Sequence, residues 1–247
     1  LLRQGAIGVG WVIAFPQPDR FGGDFEFSEA LAFSPSVLAM FEGKGKYPPA
    51  TGTNIEILKQ NSNQGIAVAR TDVDNLVRRL PLLMRTNDGW VSSYGTEVLK
   101  LLAGADTYVI KTNANGLEEV RVKGLPPVKT DSLGRKWISW VNTPQTTLAE
   151  MDVKNKFVFV GFTAKGIMPQ VATPVGLLEP HKIQAALAES ILIQDSPYIP
   201  DYGKAVEILL LLVVIILTWI LINIFGISLG IIFTSLLFVS TGVAGYY

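Results

Sequence analysis

The sequence predicts an α/β domain, a mixed and mostly parallel sheet with packed helices and a small hairpin, followed by a transmembrane helical hairpin. Three observations predict it. Through residues 1–204, short apolar runs rich in valine, isoleucine and phenylalanine alternate with segments of helical spacing. Asn115-Gly116 stands between two such runs, a strong two-residue hairpin signal. Beyond Glu207 the chain carries no Asp, Glu, Lys or Arg, and its apolar residues fall into two stretches, 206–224 and 227–247. Each stretch is close to the roughly 20 residues that a helix needs to cross a hydrocarbon core.

Taken in order, residues 5–15 form a continuous apolar run ended by Pro16 and predict a strand covered on both faces. Pro16 to Gly23 is a loop, 26–33 a short helix, and 36–41 a second buried strand. The glycines, prolines and amides of 43–63 mark a surface excursion with a helical turn at 55–59. Residues 65–69 and 75–84 read as two strands joined by the acidic turn 70–74. Val98, Leu101 and Leu102 share a helical face in 94–102, and Gly104 stops that helix. The runs 108–111 and 117–122 make the hairpin, and 136–141 is a strand expected to join the main sheet. Residues 157–162, Phe-Val-Phe-Val-Gly-Phe, are the plainest buried strand, with the glycine marking a sharp turn of the backbone. A loop with Pro169, Pro174 and Gly176 leads to a helix over 180–194, on which Ile183, Leu187, Ile191 and Leu192 recur at helical spacing. The expected organisation is a soluble domain over 1–204 and membrane helices over 205–225 and 226–247, joined near Asn223-Ile224-Phe225-Gly226. With no initial Met and no polar tail, the 247 residues read as the ordered middle of a longer protein.

Composition excludes several classes of function. Lysine and arginine total 21, against 21 aspartates and glutamates, so nothing favours nucleic acid as a partner. The absence of cysteine removes disulfides, thiolate nucleophiles and thiolate metal sites. His181 is the single histidine, which leaves no Ser-His-Asp set and makes zinc a poor expectation. Gly5, Gly8 and Gly10 lie within an apolar strand and are not followed by Lys-Ser/Thr, unlike a phosphate loop. No catalytic residue, metal or cofactor is predicted. Asp19, Arg20 and Arg78 sit at strand or turn ends, where α/β sheets form pockets, and are the candidates for a ligand-facing rim. Asp72 and Asp74 share a face of an extended turn and suit a hard cation, turn formation, or pairing with Arg78 and Arg79.

The order of motifs resembles the CHASE2 family, extracytoplasmic sensor domains of bacterial membrane receptors. The resemblance is carried by Val12-Ile13-Ala14-Phe15-Pro16-Gln17-Pro18-Asp19-Arg20, by Asp72-Val73-Asp74-Asn75-Leu76-Val77-Arg78-Arg79-Leu80-Pro81-Leu82, by Asp131 with Gly134, by 156–161, and by Thr173-Pro174 before the last helix. Asn75 departs from a usual glycine, Pro169-Gln170 from a frequent aspartate and Gln184 from a frequent histidine. The resemblance implies an inner-membrane, multi-pass protein with residues 1–204 outside the cytoplasm, one membrane helix upstream, three after the domain, and a cytoplasmic output module of the cyclase or protein kinase class.

The expected function is reception of a small ligand or envelope protein by the outer domain and transmission through the membrane helices. Pro197, Tyr198, Pro200, Tyr202 and Glu207 mark the coupling linker, with the tyrosines at the lipid headgroups. The alternative is a structural membrane protein that assembles through its outer domain. Small residues such as Ser228, Gly230 and Thr234 in the second apolar stretch suit close helix packing, within one chain or in a homo-oligomer.

Overall fold

Val37, Leu38 and Ala39 are wholly buried, and they mark the centre of the main sheet. The structure is a computed structural model that describes residues 1–43, 51–87, 89–114, 116–140, 143–147, 152–164, 166, 168–194, 197 and 202–244. The chain divides into two units, Leu1–Tyr198 and Ile199–Tyr247.

In the first unit, β1 (Gly8–Trp11), α1 (Asp24–Ala32) and β2 (Ser36–Glu42) form a βαβ unit. A short β3 (Thr51–Gly52) runs antiparallel to the end of β2, and α2 (Glu56–Lys59) leads to β4 (Asn63–Ile66), again parallel to β2. The small elements β5 (Arg79–Pro81), β6 (Leu83–Thr86) and β7 (Gly89–Ser92) precede α3 (Tyr94–Leu102). Next come β8 (Tyr108–Asn113), β9 (Gly116–Val122), β10 (Val128–Lys129) and β11 (Arg135–Trp137). The chain then re-enters the main sheet as β12 (Phe157–Val160), forms the hairpin β13 (Val171–Thr173) and β14 (Gly176–Leu178), and ends in α4 (Pro180–Ile193). The parallel order is β12, β1, β2, β4. Strand order therefore reverses at β1, because β2 and β4 lie on one side of it and β12 on the other.

The period of two along β2 divides the core. Leu38 packs with Leu31 and Leu58 beneath α1 and α2, while Val37 and Ala39 face Tyr94 and Val98 of α3 on the opposite side. A third cluster joins α3 and α4 to the antiparallel sheet, through Leu99, Ile183, Leu187, Leu117 and Val120. Gly8 and Gly10 explain the glycine pattern of the first strand. A Cβ on either would meet the Phe157 ring at 2.8 or 2.9 Å, so bare backbone there lets that ring lie across β1.

The mixed sheet, the helices at 94–102 and 180–193 and the hairpin agree with the sequence reading; Asn115 of the predicted turn lies outside the described residues. Four expectations are corrected. Only 8–11 of the run 5–15 is strand: these four residues pair with β12, and 9–11 pair with β2 as well. Residues 65–69 and 75–84 do not pair with one another: β4 joins the main sheet, and β5 pairs with β11. Within 136–141, β11 therefore stands outside the main sheet, where its alternation serves a two-stranded ladder. The segment around Pro174 is a hairpin, in which Val171 pairs with Leu178.

In the second unit a helical segment, α5, covers Gly203–Ala244, with non-helical backbone at Gly226 (φ 76°, ψ 169°). Its part Ala205–Ile224 is long and apolar enough to cross a membrane.

Candidate functional site

The first candidate lies beyond the carboxyl end of β1, on the face covered by α1. There the chain makes the loop that carries Pro16 and Pro18, and a broad concavity of about 370 Å³ opens between Phe15, Gln17, Asp19, Gly23, Asp24 and Phe27. Two carboxylates shape the loop. The Asp19 amide donates to Asp24 Oδ2 (2.8 Å), and the Gly23 amide donates to Asp19 Oδ2 (3.0 Å). Asp24 also opens α1, where a negative charge meets the positive end of the helix dipole. The aromatic wall is fixed from behind: Phe27 lies 5.2 Å from both Phe15 and Trp11. Asn54 ties the loop to the sheet, because it accepts from the Phe15 amide (2.6 Å) and donates to the Ala39 carbonyl (3.1 Å). Of the expected rim residues, Asp19 lines this concavity. Arg20 is exposed beside it and does not line it.

The second candidate is an ion network. Arg78 grips Asp74 with two hydrogen bonds of 2.8 and 2.6 Å. Arg79 pairs with Asp72 and reaches Asp131 at 3.2 Å, and Arg135 Nε donates to the same Asp131 oxygen at 2.9 Å. Arg79 also lies 5.2 Å over the Trp137 ring. The Arg78 guanidinium holds the Asp74 carboxyl at about 2, below its usual range. Asp72, Asp74 and Arg78, which the sequence offered for a ligand, thus come together and engage one another. Their chemical effect is to close the loop 72–76 and join it to β5 and β11. Asn75 sits at the apex of that loop with φ 63°, a left-handed conformation that asparagine tolerates better than most residues, which accounts for it at a position otherwise suited to glycine.

The start of α4 meets the end of β12. A Cβ on Gly161 would fall 2.4 Å from His181 Nδ1, so the imidazole lies directly on the backbone where β12 ends. Burial pushes the His181 pKa below 6.5; Glu179 opposes that shift and Lys182 adds to it. Lys182 holds the neighbouring Glu179 carboxyl at about 2. A base whose folded pKa is depressed binds fewer protons folded than unfolded, so stability rises with pH across that window. The thermal midpoint of the chain is therefore expected to fall as pH drops through and below 6.5. His181→Gln should flatten this dependence, and an unchanged slope in the variant would assign it elsewhere. Gln184, one turn further, is buried with its Oε1 unpartnered among the described residues.

Sequence reasoning missed Phe15, Gln17, Gly23, Asp24 and Phe27. The available signal was Asp19 and Asp24 five residues apart around Gly22-Gly23 at a helix start. Of the linker residues, Pro197 is exposed, Tyr202 is 68% exposed and Glu207 is exposed on the first turns of α5. Tyr198 and Pro200 lie outside the described residues.

Searches of curated proteins and of solved structures gave no match. The family model of the CHASE2 domain matches residues 1–222, the whole first unit and most of the apolar stretch Ala205–Ile224. By that match the chain belongs to the CHASE2 domain family, extracytoplasmic sensor domains of signalling receptors.

Proposed function

We propose that this chain is the input part of a membrane receptor. Its outer domain takes up a ligand or partner signal and passes it through membrane helices to a cytoplasmic output module of the cyclase or protein kinase class. The observation that carries the reading is the reach of the family match, which runs through the domain and on into the apolar helix as one unit. The concavity at the carboxyl end of β1 supplies a place for input, where strand order reverses and α/β sheets bind ligands. The output side rests on α5. Its break at Gly226 separates two apolar helical stretches, and on the first of them the less exposed Val214, Thr218, Leu221 and Ile222 recur at helical spacing. This pattern supports a hairpin of two membrane helices in a multi-pass inner-membrane protein, with a homo-oligomer as a natural vehicle for coupling.

Topology is tested without interference, because the chain has no native cysteine. A cysteine in place of Lys123, exposed in the turn after β9, is expected to react with an impermeant maleimide in intact spheroplasts. One in place of Asn223 is expected to react only after the membrane is opened. The reverse pattern would place the domain inside the cytoplasm and end the receptor reading.

A further inference from the structure

We propose that the concavity between the β1–α1 loop and α1 binds a small organic ammonium ion. The proposal deepens the receptor reading above by naming the class of ligand at its input site.

Charge and shape select the occupant. Between residues 15 and 29 the chain carries the four carboxylates Asp19, Asp24, Glu26 and Glu29 and the single cation Arg20. Among the described residues, no ion pair forms to Asp19 or Asp24. Contrast the network at Asp72 and Asp131, where every carboxylate is matched by a guanidinium. At the concavity each aspartate uses its Oδ2 atom to hold the loop, and among the described residues no hydrogen bond falls on either Oδ1. The two negative charges therefore line the site without a counterion among the described residues.

The wall behind them is aromatic. Phe15 and Phe27 are half-buried and line the concavity, with Phe27 held by Trp11, so the fold keeps both rings in place at its wall. A ring face attracts a cation through its quadrupole, and a carboxylate attracts it through charge. A neutral ligand gains neither of these charge-based attractions, and an anion is repelled by the carboxylates and by the negative ring face alike. The volume of about 370 Å³ falls within the range of small-ligand sites. Benzylammonium, with one cationic head and one ring, fits both features.

The test uses the full chain in lipid nanodiscs, with empty nanodiscs subtracted, and isothermal titration with benzylammonium and with its neutral isostere benzyl alcohol. Benzylammonium is expected to saturate and to bind about tenfold or more tighter than the alcohol, a preference that falls as salt is raised. The double variant Asp19→Asn with Asp24→Asn keeps the carbonyl acceptors that hold the loop and removes the charge; it should bind the two probes alike. Phe27→Leu, which keeps both carboxylates, should weaken benzylammonium several-fold and keeps the test open if the double variant does not fold. Equal affinity of the two probes for the native chain, no saturation by about 10 mM amine, or a folded double variant that retains the preference would each overturn the proposal. Such a result removes the ligand class alone; the receptor reading stands or falls on topology and on the exchange of the linker.

Discussion

Gly65→Ala is expected to destabilise the first unit by about 3 kcal/mol, and Gly65→Val to leave it unfolded. Gly65 lies in β4, paired with Ala39 of β2, where α3 begins to cross the sheet. A Cβ at this position would stand 2.6 Å from Tyr94 Cα and 3.1 Å from both Tyr94 N and Glu97 Cβ. These atoms belong to the first turn of a helix and cannot rotate away as a side-chain tip would. Tyr94 is wholly buried, with its hydroxyl donating to the Val37 carbonyl at 3.2 Å, and Ser93 forms a bridge with Ile66. Moving α3 away from β4 therefore also strains its contacts with β2 and with Leu187 of α4, which lies against Gly95. Overpacking in a core costs about 1–3 kcal/mol, and a clash with backbone belongs at the top of that range. Gly124→Ala is the control, since nothing lies within 4 Å of its added carbon. It carries only the cost of a left-handed residue, about 1–2 kcal/mol. Thermal and urea midpoints of the three variants measure the difference, and a Gly65→Ala midpoint above that of the control would show that α3 sits less tightly on the sheet.

This clash also shows where sequence reading stops. The helix over 94–102 was legible from Val98, Leu101 and Leu102 with Gly104 after them, and its bounds hold. Period and stop signals are local, and α3 is a local object. Gly65 reads as an ordinary residue in an apolar run, because the reason for it lies 29 positions further along, at Tyr94. The same limit separates the two candidate sites. Asp72, Asp74 and Arg78 were visible as a charged cluster because they are neighbours in sequence. Their closure by Arg79 and Arg135 around Asp131 depends on the pairing of β5 with β11, which alternation along one strand does not specify. Asp19 was legible as a residue after a strand in an α/β sheet. Its aromatic wall was not, since Phe15 lies in the loop after β1 and Phe27 on α1, and they meet only when α1 folds back over β1.

Replacing residues 195–202 by a Gly/Ser segment of equal length is expected to abolish signalling through a native output module while leaving the domain folded. The chain between the last helix of the first unit and the apolar helix of the second carries Pro197 and Pro200, each of which fixes its own φ and lacks an amide donor. α4 ends at Gln194 in the left-handed conformation (φ 59°, ψ 13°), so the helix does not simply continue, and α5 begins at Gly203. A stiff spacer conveys the position of its end, whereas a Gly/Ser coil of the same length lets that end wander and averages a displacement away. Ile183, Leu187 and Ile191 of α4 are buried in the core shared with α3, so the stop at Gln194 is anchored by packing that the exchange does not touch. The domain's thermal midpoint should accordingly stay within the error of the native value. In a reporter strain that carries the natural full-length gene, the signal-dependent response should fall by about tenfold or to the basal level, the size of a coupling free energy of 1–3 kcal/mol. Tyr202→Ala and Glu207→Gln, which keep the prolines, separate stiffness from anchoring at the lipid surface and are expected to reduce the response only in part. A full response from the Gly/Ser chain would make the segment a tether and move coupling to contacts made elsewhere.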